Sequence, residues 1–307
     1  MGVLLTAALI IAGTAVGVGA EHRHPMAAVA LARRLMLIIL YFAVPFVIFF
    51  NLAHAHISID NGVGLLLALL TTVLVGTFAW FVSSRVLKLS RAQTGAVMVA
   101  SIVGNTTYLG YPLTVALLGH DNLPTGVLYD VLVGGPALML GAFGIGAAFG
   151  DRAGEGLRQR SKAFLTRNPP LYAAILGLLA PSALAPTALV DASQILAVAV
   201  LPVGFFAVGA TLAEGAEHGD LPFPPPINAP VALGVVSRIA LAPALLMLLA
   251  APLIDLPSAY RLMSAMPTGL NAMIVSHAYG LDSRTVAEVI TWSTAIVVVV
   301  ALISLLL

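Results

Sequence analysis

Nine residues, GNTTYLGYP from Gly104 to Pro112, interrupt the apolar run AVMVASIVGNTTYLGYPLTVALLG. A membrane-spanning helix needs about 20 apolar residues, and this run is long enough for one. Its centre nevertheless carries an Asn, two Thr, two Gly and a Pro. Proline removes a backbone donor and clashes with the carbonyl four residues earlier, and glycine holds a helix weakly. The stretch therefore predicts a helix that is interrupted inside the membrane.

The composition of the whole chain supports a membrane setting. Of its 307 residues, 60% are hydrophobic and 9% are charged, against roughly 25% charged residues in soluble domains. Such a chain cannot cover a soluble surface, so we expect an integral membrane protein. The absence of cysteine excludes disulfides and thiolate metal sites. The near-neutral net charge, with no basic run among aromatic residues, argues against nucleic-acid binding.

Ten apolar segments are long enough to cross the membrane as helices. They run near 2–20, 35–53, 62–82, 92–118, 124–149, 169–189, 193–213, 229–252, 258–279 and 285–307. Of the fourteen Lys and Arg residues, all but Arg238 and Arg261 fall in odd-numbered loops. Since cytoplasmic loops are rich in Lys and Arg, we expect these loops in the cytoplasm and both termini outside it. The cell (inner) membrane is the predicted location.

A long hydrophilic stretch, 151–168, separates residues 1–150 from residues 169–307, with five predicted helices on each side. Because five is odd, the second half enters the membrane upside down relative to the first. Prolines recur at nearly one offset: Pro45 pairs with Pro202 (202 − 45 = 157) and Pro112 with Pro267 (267 − 112 = 155). The sequence thus predicts two inverted five-helix repeats joined by a cytoplasmic linker.

Paired helix breaks in two inverted halves indicate the midplane binding site of a secondary transporter. A break is tolerated in lipid where it is buried in protein or lines a watery cavity. The freed helix ends offer N–H groups with positive partial charge, which suit an anion. Beside the first break, Asn105, Thr106 and Thr107 add polar side chains, and Asn271 adds a second amide after Pro267.

Four stretches of the chain resemble the auxin efflux carrier family. They are NTTYLGYPLTVALLG at 105–119, NPPLYAAILGLL at 168–179, LPVGFFAVGATLAEG at 201–215 and MPTGLNAMIVSHAYGLDSRTVAEVITWST at 266–294. The resemblance implies broken fourth and ninth helices that cross at the substrate site. It also implies a scaffold from helices 1, 2, 6 and 7, a transport domain from helices 3–5 and 8–10, elevator-like motion and a homodimer.

Carried over residue by residue, Asn105, Pro112, Pro267 and Asn271 match the crossover positions of that family. The full set of predicted substrate-binding residues is Asn105, Thr106, Tyr108, Gly110, Pro112, Pro267, Thr268 and Asn271.

Two charged residues fall inside predicted spans, where ionisable side chains are functional candidates. Asp130 could carry protons, pair with a cation, or hydrogen-bond near the outer interface. Arg238 could attract substrate or pair with an acid, but an arginine that extends to the cytoplasmic interface is the favoured interpretation.

These patterns favour a secondary carrier for a small organic anion, a carboxylate, without a cofactor or metal. A sodium-coupled symporter of the bile acid type is the alternative, although its acidic ligands are missing from MPTGLNAM at 266–273. An intramembrane enzyme ranks low because no nucleophile–base or paired-acid arrangement is evident. A passive anchor has no need for matched helix breaks.

Overall fold

The computed structural model describes residues 3–55, 58–151, 166, 168–217 and 224–306. Over those ranges the chain is helical, and no strand forms within them. Within the same ranges, Gly104 and Thr268 form an isolated antiparallel β-bridge. The predicted all-α class is confirmed.

The described ranges contain a series of helices. In chain order they are α1 (Val3–Arg23), α2 (Pro25–Leu52), α3 (Ile59–Val86), α4 (Arg91–Ile102), α5 (Tyr111–Leu118), α6 (His120–Phe149), α7 (Pro169–Leu179), α8 (Thr187–Glu217), α9 (Ala229–Ala250), α10 (Ser258–Ser264), α11 (Asn271–Tyr279) and α12 (Ser283–Leu306). A π-helical turn, Thr106–Gly110, leads directly into α5.

Six helices in the described part of the chain are long and apolar enough to cross a membrane. They are α2, α3, α6, α9, the Thr187–Ala207 part of α8 and the Ser283–Ser304 part of α12. This is a multi-pass membrane protein, as the composition predicts.

Two predicted boundaries are wrong. The first predicted loop is largely helical, because α2 begins at Pro25 and contains Arg33 and Arg34. Proline is favoured at the first helical position, where its missing N–H has no partner to lose. The sixth predicted span, 169–189, is interrupted: α7 ends at Leu179, and the next residue is extended because it precedes a proline.

Four π-helical turns each end two residues before a proline. They are Ile39–Ala43 before Pro45, Thr106–Gly110 before Pro112, Asp130–Gly134 before Pro136, and Ser237–Leu241 before Pro243. A proline inside a helix offers no N–H and clashes with the carbonyl four residues earlier. The wider π turn relieves that clash and lets the helix continue.

The helices pack in two groups. In the first group α1 lies along α8, and α2 packs against both α7 and α8. In the second group α4 is central and contacts α3, α6, α9 and α12. The groups meet where α2 contacts α6 and where α8 contacts α5. The division of these helices into a scaffold and a transport domain stays a prediction.

Candidate functional site at the helix crossing

In the described part of the chain, the fourth and the ninth predicted spans are both interrupted, and their interruptions bond to each other. One gap lies between α4 and the turn at Thr106, and the other lies between α10 and α11. The Asn105 N–H donates to the Pro267 carbonyl (2.7 Å), and the Gly269 N–H donates to the Val103 carbonyl (2.9 Å). Since lipid offers no partner to backbone groups, each break supplies hydrogen bonds that the other needs.

Thr268 fixes the crossing to its neighbours. Its hydroxyl donates to the Ala100 carbonyl in α4 at 2.7 Å, and its N–H donates to the Ser293 Oγ in α12 at 3.1 Å. Thr268 and Ser293 are fully buried. The second break is therefore tied both to the first broken helix and to α12.

Arg238 lies behind the crossing, on α9, and is only 6% exposed. Its Nε donates to the Met266 carbonyl (2.8 Å) and one Nη to the Ser264 carbonyl (2.5 Å), and the other Nη approaches the Ser101 carbonyl at 3.5 Å. These carbonyls lie at the ends of α10 and α4, where the helix dipole is negative.

The favoured interpretation, an Arg238 side chain that extends to the membrane interface, is therefore wrong. The carbonyls freed at the breaks give its guanidinium charge-assisted hydrogen bonds at membrane depth.

Asp130 lies on the other side of the crossing, in the π turn of α6. The Thr107 hydroxyl donates to its carboxylate at 2.7 Å and the Tyr111 hydroxyl at 2.6 Å, and the Thr106 hydroxyl donates to the second carboxylate oxygen. All three donors belong to the segment that follows the first break. Asp130 thus couples α6 to that segment through neutral groups.

A cavity of about 160 Å³ lies beside the crossing and between the two helix groups. Its polar lining comes from the first break, from Asp130, from Asn271 at the start of α11 and from Asn168 before α7. The first helix group forms the apolar side of the cavity, through Leu40, Val44, Ile48, Pro170 and Leu171.

The sequence model of the membrane transport protein family matches residues 4–144 and 159–305, which is most of the chain. The chain belongs to this family. The resemblance to the auxin efflux carriers, which belong to the same family, is confirmed.

Two archaeal relatives are both named as uncharacterized transporters. An uncharacterized transporter of Methanocaldococcus jannaschii is 28% identical over 146 residues, which is 46% of this chain and 46% of the relative. An uncharacterized transporter of Methanothermobacter thermautotrophicus is 30% identical over 144 residues, which is 46% of this chain and 45% of the relative. The matched part of the chain spans less than half the length of either relative.

The structure brings the predicted site residues of this family member to one place but gives them different surroundings. Thr106, Tyr108 and Asn271 line the cavity. Asn105 is buried at the break, and its backbone carbonyl accepts a hydrogen bond from the Gly110 N–H at 3.0 Å. Gly110, Pro112, Pro267 and Thr268 are not among the described lining residues. Direct substrate contact by all eight residues stays a prediction.

The position of the first break differs from the predicted one. The backbone leaves the helix at Val103, and Pro112 lies inside α5, where the π turn accommodates it. The residues that pair across the crossing are Gly104 and Thr268, which are 268 − 104 = 164 positions apart rather than 155. Pro112 and Pro267 are therefore not equivalent positions in the two breaks.

The predicted residue set lacks two features of the site. One is the group of hydroxyls around Asp130, and the other is the three glycines that line the cavity, Gly104, Gly134 and Gly135. The sequence contained a signal for the hydroxyls. A buried acid in an apolar helix needs donors, and GNTTYLGYP contains four hydroxyl side chains, three of which donate to Asp130.

Proposed function

We propose that this protein is an elevator-type secondary carrier for a small organic anion, a carboxylate. The observation that carries the proposal is the pair of broken helices that bond to each other beside a cavity. Secondary transporters place substrate sites at such paired breaks near the membrane midplane. Membership of a transport family agrees with this assignment and with a non-enzymatic role.

The chemistry of the lining suits a small anion. Thr106 and Asn271 start the two helical segments that follow the breaks, and both line the cavity. Helix N-termini carry positive partial charge and free N–H groups, which favour carboxylate oxygens. The Asn271 amide adds a neutral donor, and the volume of about 160 Å³ limits the ligand to a small molecule.

The placement of the cavity supports alternating access. It extends from Asp130 to Met139 in α6 and to Asn168 before α7, toward the side where residues 151–168 connect the two halves. Toward the other side, the apolar residues Leu52, Leu113, Leu123 and Val127 are buried in one cluster. Movement of the second helix group against the first would carry the cavity past this apolar barrier.

The proposal places the protein in the cell (inner) membrane with both termini outside the cytoplasm. Two copies would associate through the first helix group as a homodimer, which leaves the second group free to move.

Uptake assays in proteoliposomes test the carrier. Mono- and dicarboxylates are first screened for a rise in the melting temperature of the purified protein, since a ligand that binds the folded state stabilises it. Positive compounds are then measured for uptake. We expect Asn105→Ala to abolish uptake while the protein stays folded, and Asn61→Ala, at the start of α3, to keep it. Equal uptake by Asn105→Ala and wild type would remove the crossing from the mechanism.

A sodium-coupled symporter is distinguished in the same assay. Among the described residues, no group of three or more His, Cys, Asp or Glu could hold a metal ion. The proposed carrier takes its anion without sodium, so we expect uptake to persist when potassium or choline replaces sodium. A strict sodium requirement would favour the symporter.

A further inference from the structure

Asp130 is the one carboxylate among the described residues that line the cavity, and Tyr108 is the other ionisable side chain there. An anion bound in a cavity of about 160 Å³ would therefore lie close to this carboxylate. Two negative charges at such short distance in a medium of low dielectric repel strongly. If Asp130 were ionised, it would oppose binding of the very substrate that the helix N-termini favour.

The charged groups around Asp130 do not remove this conflict. Tyr108 and Tyr111 face it from the broken segment, and α2 and α7 present apolar side chains and Asn168 to the cavity. The ionisable residues of α3, Asp60 and Arg85, lie at the ends of that helix. Arg238 of α9 directs its guanidinium to the carbonyls of the crossing.

The hydrogen-bond partners of Asp130 suit a carboxyl group that alternates between an ionised and a protonated form. These partners are the side-chain hydroxyls of Thr106, Thr107 and Tyr111. A hydroxyl can both donate and accept a hydrogen bond. They donate to the carboxylate when it is ionised, and one of them can rotate to accept from the acid when it is protonated. A salt bridge to arginine would instead hold the carboxylate in its ionised form.

We propose that Asp130 binds the proton that is transported together with the anion, so that the carrier is a proton–anion symporter. The inference rests on the proposed function and adds its coupling ion. The carboxylate takes one proton from the side to which the cavity opens, the neutral acid admits one anion, and both leave on the other side. Because binding is reciprocally linked, the anion also raises the affinity of Asp130 for the proton.

The proton site can be tested without knowing the substrate. Infrared difference spectra are recorded during a pH titration of the full-length protein in lipid, and the C=O stretching band of a protonated carboxylic acid is followed. We expect wild type to show a band that disappears as the pH rises, Asp130→Asn to lack it, and Asp60→Asn, at an exposed position in α3, to keep it. Identical spectra for wild type and Asp130→Asn would overturn the proposal.

A second variant keeps the test decisive if Asp130→Asn does not fold. Thr107→Val retains the carboxylate but removes one donor to its ionised form, so the midpoint of the band moves to higher pH. Thr77→Val is the matched control, because Thr77 is exposed and its hydroxyl donates to the Val73 carbonyl of its own helix. A midpoint that moves equally in both variants, or in neither, contradicts the assignment.

Coupling is then measured with succinate, a dianion that crosses lipid poorly. Liposomes that contain the protein and a trapped pH dye receive an inward succinate gradient in sodium or choline buffer. We expect the lumen to acidify with wild type and not with Asp130→Asn. Above the midpoint, uptake should fall by about tenfold per pH unit, as expected for one linked proton.

The outcomes separate the two proposals. If the infrared band is present but neither succinate nor any other carboxylate is transported, the proposed substrate class fails and the proton site stands. If carboxylates are transported without acidification and without the band, the carrier stands and the proton site fails. Sodium dependence without the band would assign Asp130 to sodium and overturn the proton proposal.

Discussion

The role of Arg238 can be predicted only in part from the sequence. A cation in an apolar segment is recognisable in the sequence as a functional candidate. Its partners are backbone carbonyls of two distant segments, and a carbonyl carries no sequence signature. The sequence therefore located the charge but could not predict that it stabilises the two helix ends at the crossing. Asp130 differs, since its three donors are side chains of one short stretch.

Removal of Arg238 should destabilise the fold. Arg238→Ala leaves the Ser264 and Met266 carbonyls without their charged donor, and hydrogen bonds to a charged group are worth about 1.5–3 kcal/mol each. We expect a loss of about 3 kcal/mol and a melting temperature that is lower by roughly 6 °C or more in detergent. Arg261→Ala, which removes an exposed contact to Ser258, should change it little. Equal melting temperatures would show that these bonds contribute nothing.

Gly269 tests how closely the two breaks must approach. A Cβ at this position would lie 2.8 Å from the Gly104 carbonyl oxygen and 3.3 Å from the Asn105 nitrogen, both of which are backbone atoms. Gly269→Ala should separate the breaks, lower stability by about 1–3 kcal/mol and reduce uptake at least about tenfold. Gly144→Ala is the control, because a Cβ there meets nothing within 4 Å. Wild-type uptake in Gly269→Ala would mean that the observed contact is not required.

The sequence predicts an interrupted fourth helix, but the interruption lies at a different position in the structure. Proline predicts a break at Pro112, whereas a π turn relieves the clash of Pro112 and the helix continues. The break falls at Val103–Asn105, where Asn105 finds its partner at Pro267. A partner 162 residues away (267 − 105) cannot be identified from local propensity, and for that reason the site was predicted only in outline.

The π turn of α6 positions Asp130. Pro136 follows the turn Asp130–Gly134 and requires it. Pro136→Ala lets the stretch Asp130–Gly134 become regular α-helix, which rotates Asp130 away from its hydroxyl donors. Uptake should fall by about tenfold or more.

Pro230→Ala, at the first turn of α9 where proline is tolerated, should leave uptake unchanged. A Pro136→Ala protein with normal uptake would show that the π turn does not position Asp130.

In the whole molecule, the first two helices of each half of the chain pack against the first two helices of the other half. The first segment of the first half, α1, packs on the second segment of the other half, α8. Reciprocally, α2 packs on α7. An inverted repeat with a two-fold relation between its halves requires this exchange, and the Gly104–Thr268 bridge lies where such an axis would pass. The repeat stays a prediction, which these contacts support.

Motion between the two helix groups can be tested with a disulfide, and the chain has no cysteine that would interfere. A Cβ on Gly204 of α8 would lie 3.6 Å from the Cβ of Tyr108, within the range of about 3.5–4.5 Å that a disulfide needs. The cross-link would join the first group to the broken segment. We expect oxidised Tyr108→Cys/Gly204→Cys protein to lose uptake and to regain, on reduction, the level of the Tyr108→Cys single variant.

The matched control joins two helices of the second group. A Cβ on Gly234 of α9 would also lie 3.6 Å from the Cβ of Val289 in α12. If the second group moves as one body, the oxidised Gly234→Cys/Val289→Cys protein keeps its uptake, because the cross-link constrains nothing that moves. Loss of uptake in both oxidised proteins would indicate deformation within the second group. Uptake retained by fully oxidised Tyr108→Cys/Gly204→Cys protein would contradict elevator motion at this interface.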